Sequence, residues 1–232
     1  MLRVRLFRSN QSSFMKPTSS KVHLAVVLAF VWHFALPTIC LSQEKPVGPF
    51  AFVNAIDSTE PTFVYLNGDS YRPRGYSVGQ MTFGARTYAG NPLVTVENKE
   101  LGTASISVLI TATYCPVIIA YAHVSQDSEG KTKRELKVLT IPSKAVKGGA
   151  FSAFYASNSE EVTIEANSQI LKLPDKTLTR LADTRSISYR LPSDNGAVRQ
   201  VSPEVPTHVI LVVFDLKDGK KSVSEFEDVS SE

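Results

Sequence analysis

The side chains that could do chemistry are few in this 232-residue chain, and none stands in a catalytic spacing. Downstream of an expected leader there are two histidines, His123 and His208, and one cysteine, Cys115. Neither histidine belongs to an H-E-x-x-H run or accompanies a cysteine pair, so no metal site is expected. No G-x-S-x-G marks a nucleophile elbow, and neither Gly-rich phosphate-binding pattern occurs. Cys115 lies in Tyr-Cys-Pro-Val-Ile-Ile-Ala-Tyr, an apolar run that suits a buried, inert thiol better than a reactive one. Each histidine sits at the end of a strand-like run, where a surface or edge position is expected. Glu160 and Glu161 fall at a turn and read as solvated acids. The expectation is therefore a chain with no catalytic residues, no cofactor and no metal.

Two segments could bind. Ser70-Tyr71-Arg72-Pro73-Arg74-Gly75-Tyr76 sets two aromatics and two arginines among turn residues. Tyr and Arg dominate interface energetics and stack on planar groups and sugars. Tyr71, Arg72, Arg74 and Tyr76 are thus the candidate ligand or partner surface, against the plainer reading that the Tyr rings cover the end of a sandwich. Lys131-Thr132-Lys133-Arg134 is basic, but it adjoins a turn and reads as a solvated hairpin tip.

The charge balance agrees with that plainer view. The whole chain has a net charge of +3, yet residues 1–42 contain Arg3, Arg5, Arg8, Lys16 and Lys21 and no acid. The remainder carries 20 Lys and Arg against 22 Asp and Glu, a net of −2. A nucleic-acid partner is not expected. Val22 to Ile39 is apolar, follows the basic stretch, and ends beside Pro37 and the small residues of Cys40-Leu41-Ser42. This predicts a signal peptide over 1–42, cut before Gln43, with Met15 as an alternative start. The alternative is an uncleaved anchor, the one way the chain would meet a membrane. An exported protein of the periplasm or cell surface is expected.

The elements that must position these residues are strands. Thr62 to Leu66 runs into Asn67-Gly68, a tight-turn pair. Ser105 to Ile110 alternates polar and apolar, while Val117 to Tyr121 and Val209 to Phe214 are continuously apolar. No 12-residue window holds a helical period; Ser143 to Lys147 reads at most as one helical turn. Residues 48–63 also align with 149–164 at an offset of 101, matching Gly48, Phe50, Ala55, Ser58, Glu60 and Thr62 to identical residues. Val117-Ile118-Ile119 aligns with Val209-Ile210-Leu211 at an offset of 92. The pattern predicts an all-β chain of two tandem, small antiparallel β-sandwich domains of immunoglobulin-like type, each with six or seven strands. The expected spans are 48–142 and 149–227, with an acidic tail over 228–232.

Phe52-Val53-Asn54-Ala55, the Tyr65-Leu66-Asn67-Gly68 hairpin and the run from Tyr114 to Tyr121 resemble bacterial extracytoplasmic β-sandwich repeat proteins. The duplication and leader are similar to those of the periplasmic alginate O-acetylation accessory (adaptor) family of F type. The second copy departs from the pattern, with Ala166-Asn167-Ser168-Gln169 at the hairpin. The resemblance implies a non-catalytic adaptor in exopolysaccharide modification and carries over no site residue. The expected partner is an envelope protein or a polysaccharide. The rivals are a carbohydrate-binding module using Tyr71 and Tyr76, and a sandwich-fold hydrolase that would need Cys115–His123 or Ser–His geometry in a cleft.

Overall fold

A computed structural model describes residues 46–82, 85–126, 128–143, 150–157, 161–191, 197–205 and 207–228. The expected leader, most of the expected boundary over 142–149 with its helical turn, and all but the first residue of the acidic tail lie outside them. The described part falls in one compact unit, Lys45–Glu232.

No helix occurs among the described residues, and the chain is all β. The first half has eight strands: β1 (Val47–Ala55), β2 (Thr62–Leu66), β3 (Asp69–Ser70), β4 (Ala85–Tyr88), β5 (Leu93–Asn98), β6 (Gly102–Ser107), β7 (Cys115–Gln126) and β8 (Thr132–Ser143). The second has β9 (Ala150–Ala156), β10 (Glu161–Ala166), β11 (Gln169–Pro174), β12 (Leu178–Ala182), β13 (Ile187–Arg190), β14 (Arg199–Val201), β15 (His208–Asp215) and β16 (Lys221–Asp228). Each half thus has more strands than expected. The expected strand over Ser105 to Ile110 ends at Ser107, although Val108 and Ile110 stay buried beyond it.

The connectivity repeats. The first half forms sheets ordered β4-β1-β7-β8 and β3-β2-β5-β6; the second forms β12-β9-β15-β16 and β11-β10-β13-β14. The named strands pair antiparallel except at the centre of one sheet in each half. There β1 runs parallel to β7, and β9 parallel to β15. This departs from the antiparallel expectation, because partners some sixty residues apart in the chain leave no hairpin signal between them.

Three apolar cores fix the layering. Phe50, Phe52, Val64, Val94 and Ile118 fill the space between the two sheets of the first half. Phe151, Tyr155, Ile164, Tyr189 and Leu211 do so in the second. The third core joins the halves: Ala51, Val53, Val117 and Ile119 meet Phe154, Ile210, Val212, Phe214 and Phe226. The sheets therefore stack four deep, and the two inner ones are covered on both faces. That is why β7 and β15 read as unbroken apolar runs rather than alternating ones.

The same layering corrects the repeat alignment. Ala51 pairs with Val117, and its counterpart Ser152 pairs with Ile210. The true offset across β7 and β15 is therefore 93, and the offset of 92 would exchange the two faces of the strand. At β2 and β10 the buried sets are Thr62, Val64, Leu66 and Val162, Ile164, Ala166, an offset of 100. The identity between Thr62 and Thr163 is thus not an equivalence of place.

Candidate binding surface

The Tyr/Arg segment separates into two inward and two outward side chains. After β3, Tyr71 N donates to Val64 O, and Tyr76 exchanges two backbone hydrogen bonds with Thr62. Between them Arg72 to Gly75 close a turn in which Gly75 N donates to Arg72 O at 2.9 Å. Tyr76 is buried, with its ring centroid 4.8 Å from that of Phe52. Burial pushes its hydroxyl up to about 12, although Arg72 acts against this. Tyr71 is half-buried and meets Phe50 edge-on at 5.0 Å. The expected Tyr71–Tyr76 platform therefore does not form, because both rings are drawn into the core. Arg72 and Arg74 are exposed, and the Arg72 guanidinium lies 4.9 Å from the centre of the Tyr76 ring.

The rest of this loop is a clasp. Gly79 N donates to Asn54 O, Asn54 N to Gln80 O and Thr82 N to Phe52 O, so the loop lines β1. Ser224 Oγ of the second half donates to Gly79 O at 3.0 Å. The second half has only Asp175 to Thr177 between β11 and β12.

The aromatic surface lies beside the turn. On β2 the inward residues are Thr62, Val64 and Leu66, which leaves Phe63 and Tyr65 half-buried on the outer face of the sheet. Phe63 pairs with Glu97, and Tyr65 with Thr95 and Ser70. Across β6, Thr95 faces Ser105 and Glu97 faces Thr103. The Thr95 and Ser105 hydroxyls are 2.9 Å apart. Loss of water around it, then the charge and hydrogen bond of Glu97, raise the Tyr65 hydroxyl. Gly75, at φ +66°, brings the turn down on this face; a Cβ there would lie 3.2 Å from the Phe63 ring and 2.9 Å from Pro61. Sequence reading missed Phe63 and Tyr65. The signal was available in the alternation of Thr-Phe-Val-Tyr-Leu, which puts both rings on one side.

The second half's outer face is different. Thr163 and Glu165 stand where Phe63 and Tyr65 do. Arg190 Nε donates to Glu165 Oε2 and Lys172 Nζ to Glu161 Oε1, both at 2.6 Å. Its charges are neutralised within the face.

His208 Nε2 is 2.9 Å from Ser152 Oγ, but both residues are buried on the inward-stacked face of β9 and β15. His208 is a core residue rather than the surface one expected. Cys115 is buried. His123 is half-buried on β7 and pairs with Glu135. At the far end of the second half, the Tyr155 hydroxyl donates to Asp215, as does Ser157 Oγ. Lys221 Nζ reaches Asp215 and lies 2.9 Å from the Tyr155 hydroxyl. Burial works to lower Lys221, but Asp215 and Tyr155 outweigh it and hold the ammonium above its ordinary range. The cluster anchors the buried Tyr155 ring by its hydroxyl.

A shallow pocket of about 210 Å³ opens where β6 ends, lined by Ser107, Val108, Leu109, Tyr114, Pro116 and Thr140. Among the described residues no group of three or more His, Cys, Asp or Glu converges as a metal site would require. No family model matches the chain, and no curated protein matches it.

Proposed function

We propose that the chain is an exported, non-catalytic binding protein of the cell envelope, an adaptor that serves exopolysaccharide modification or assembly. One observation carries the reading. Of the eight strands that border the four sheets, β6 alone (Gly-Thr-Ala-Ser-Ile-Ser) contains no charged residue. Charged side chains are the usual guard against strand addition, and β8, β12, β14 and β16 all have them. Beyond the point where Leu136 N meets Leu101 O, β6 runs out to the pocket at Ser107 and Leu109. An unguarded edge beside an apolar recess suits an extended, uncharged segment of a partner protein, which would add as a strand and seat one side chain.

The test is capture from an envelope fraction with the wild-type chain and with Ser107→Lys/Leu109→Lys, both exposed positions. A protein retained by the wild type and lost from the variant supports the adaptor reading. Recovery of neither protein nor polysaccharide overturns it.

A further inference from the structure

We infer that the uncharged end of the first sandwich rests on a lipid bilayer, with Val47, Tyr88, Leu93 and Leu109 seated among the lipid headgroups. Sequence reading assigned membrane contact only to the apolar run before Gln43; this is a second contact, made by the folded body.

Three segments build that end. β1 starts there, β4 finishes there, and the chain between β6 and β7 closes it. Backbone hydrogen bonds knit them together. Ala89 N donates to Pro46 O, Gly90 and Ile110 exchange two bonds, and Val108 N donates to Pro92 O. Val47 pairs with Tyr88, and Gly48 lies so close to Thr111 that a Cβ would clash with its carbonyl. On this knitted surface four large apolar side chains are exposed: Tyr88 at 64%, Leu109 at 55%, Leu93 at 47% and Val47 at 45%. Every other exposed position in 46–48, 88–93 and 107–114 is Pro, Gly, Asn, Ser, Ala or Thr. Charged residues make up 20% of the chain, yet 46–56, 87–96 and 101–126 contain none. The opposite end, beyond the last residue of β1, carries Asp57, Glu100 and Lys217 bonded to one another. Charge is thus confined to one end of this sandwich and apolar exposure to the other.

The course of the chain says what covers the apolar end. Val22 to Ile39 stops seven residues before Pro46, where the chain enters this surface. Seven extended residues span at most about 25 Å. The positive residues before the run, Arg3 to Lys21, favour the inner side of a membrane, so the sandwiches emerge on the outer side with this end nearest the bilayer. An amphipathic ring such as Tyr88 suits headgroup depth, and no charged group there has to lose its water. A second copy fits less well: four half-exposed side chains fall well short of the roughly 800 Å² per partner that a stable dimer buries.

The experiment measures amide hydrogen exchange of the full chain with and without vesicles of phosphatidylethanolamine and phosphatidylglycerol. Exchange over 88–93 and 107–114 should slow about tenfold or more with vesicles, and exchange over 163–172 in the second half should not change. Tyr88→Thr/Leu93→Thr, strand-compatible changes at exposed positions, should abolish the slowing. Ile170→Thr, at an exposed apolar position of the second half, should preserve it, with circular dichroism confirming the fold of both variants. Slowing that the double variant keeps, or that spreads evenly over both halves, overturns the lipid contact. So does its absence, and so does slowing without vesicles that grows with protein concentration, which would show a second copy. Capture of a partner at β6 is read separately, so failure here leaves the adaptor standing.

Discussion

Asn67 and Asn167 make the same two hydrogen bonds in the two halves. Asn67 N donates to Leu93 O and its Oδ1 accepts from Leu93 N, each at 2.9 Å. Asn167 N donates to Ser188 O at 2.8 Å and its Oδ1 accepts from Ser188 N at 3.0 Å. Both hold positive φ, 51° and 48°, a region asparagine tolerates better than most side chains. The asparagine both turns the hairpin and ties it to the third strand of its sheet.

Asn67→Ala and Asn167→Ala should therefore lower stability by similar amounts, about 1 kcal/mol each. Denaturant titration checks this. A large effect from one and none from the other would deny the equivalence.

The core joining the halves predicts one cooperative unfolding transition, although the chain holds two sandwiches. Phe214 is fully buried in that core, and Phe214→Ala should lower the single transition by about 3–5 kcal/mol. Calorimetry resolving two separate transitions would contradict it.

How far the sequence revealed this arrangement depended on alternation. β2 and its Asn67-Gly68 turn were legible because polar and apolar residues alternate there and the turn residues fit one turn type. β15 reads Val-Ile-Leu-Val-Val-Phe, where nothing distinguishes one face from the other. The alignment could slip there by one residue unnoticed, and only the pairing of Ser152 with Ile210 settles it. Tyr71 and Tyr76 failed as a platform for a related reason. Their loop has no regular period, so the direction of each ring depends on contacts with Phe50 and Phe52 that are distant in the chain.

A charged clamp reinforces the junction. Lys217 Nζ lies 2.8 Å from Glu100 Oε2, and Lys217 N donates to Asp57 Oδ2 at 2.6 Å. The hydrogen bond from Lys217, then that from Thr59, lowers Glu100 from 4.5 to about 2. A depressed carboxylate adds stability above its unfolded value and loses it as pH falls toward the folded one. The clamp should hold at neutral pH and fail between 4.5 and about 2. NMR titration of Glu100 should show a midpoint near 2, moving up toward 4.5 in Lys217→Met. An unchanged midpoint in the variant would exclude the pair.

Gly75→Ala should strain the turn twice, through its φ of +66° and through the approach to Pro61. A loss of about 1–3 kcal/mol is expected. Thermal melts check this, and an unchanged melting temperature would show that the turn tolerates a side chain there.

Cys115, 1% exposed, should resist thiol reagents in the folded chain and react at once in denaturant. Rapid labelling of the native protein would place it differently.

Four stacked sheets also form a spacer of set thickness. With layers about 10 Å apart, the planes of the two outermost sheets lie roughly 30 Å from each other. The core shared by the two inner layers opposes any change in that distance. The face that carries Phe63 and Tyr65 is thereby held at a constant remove from the ion-paired face that carries Glu165 and Arg190.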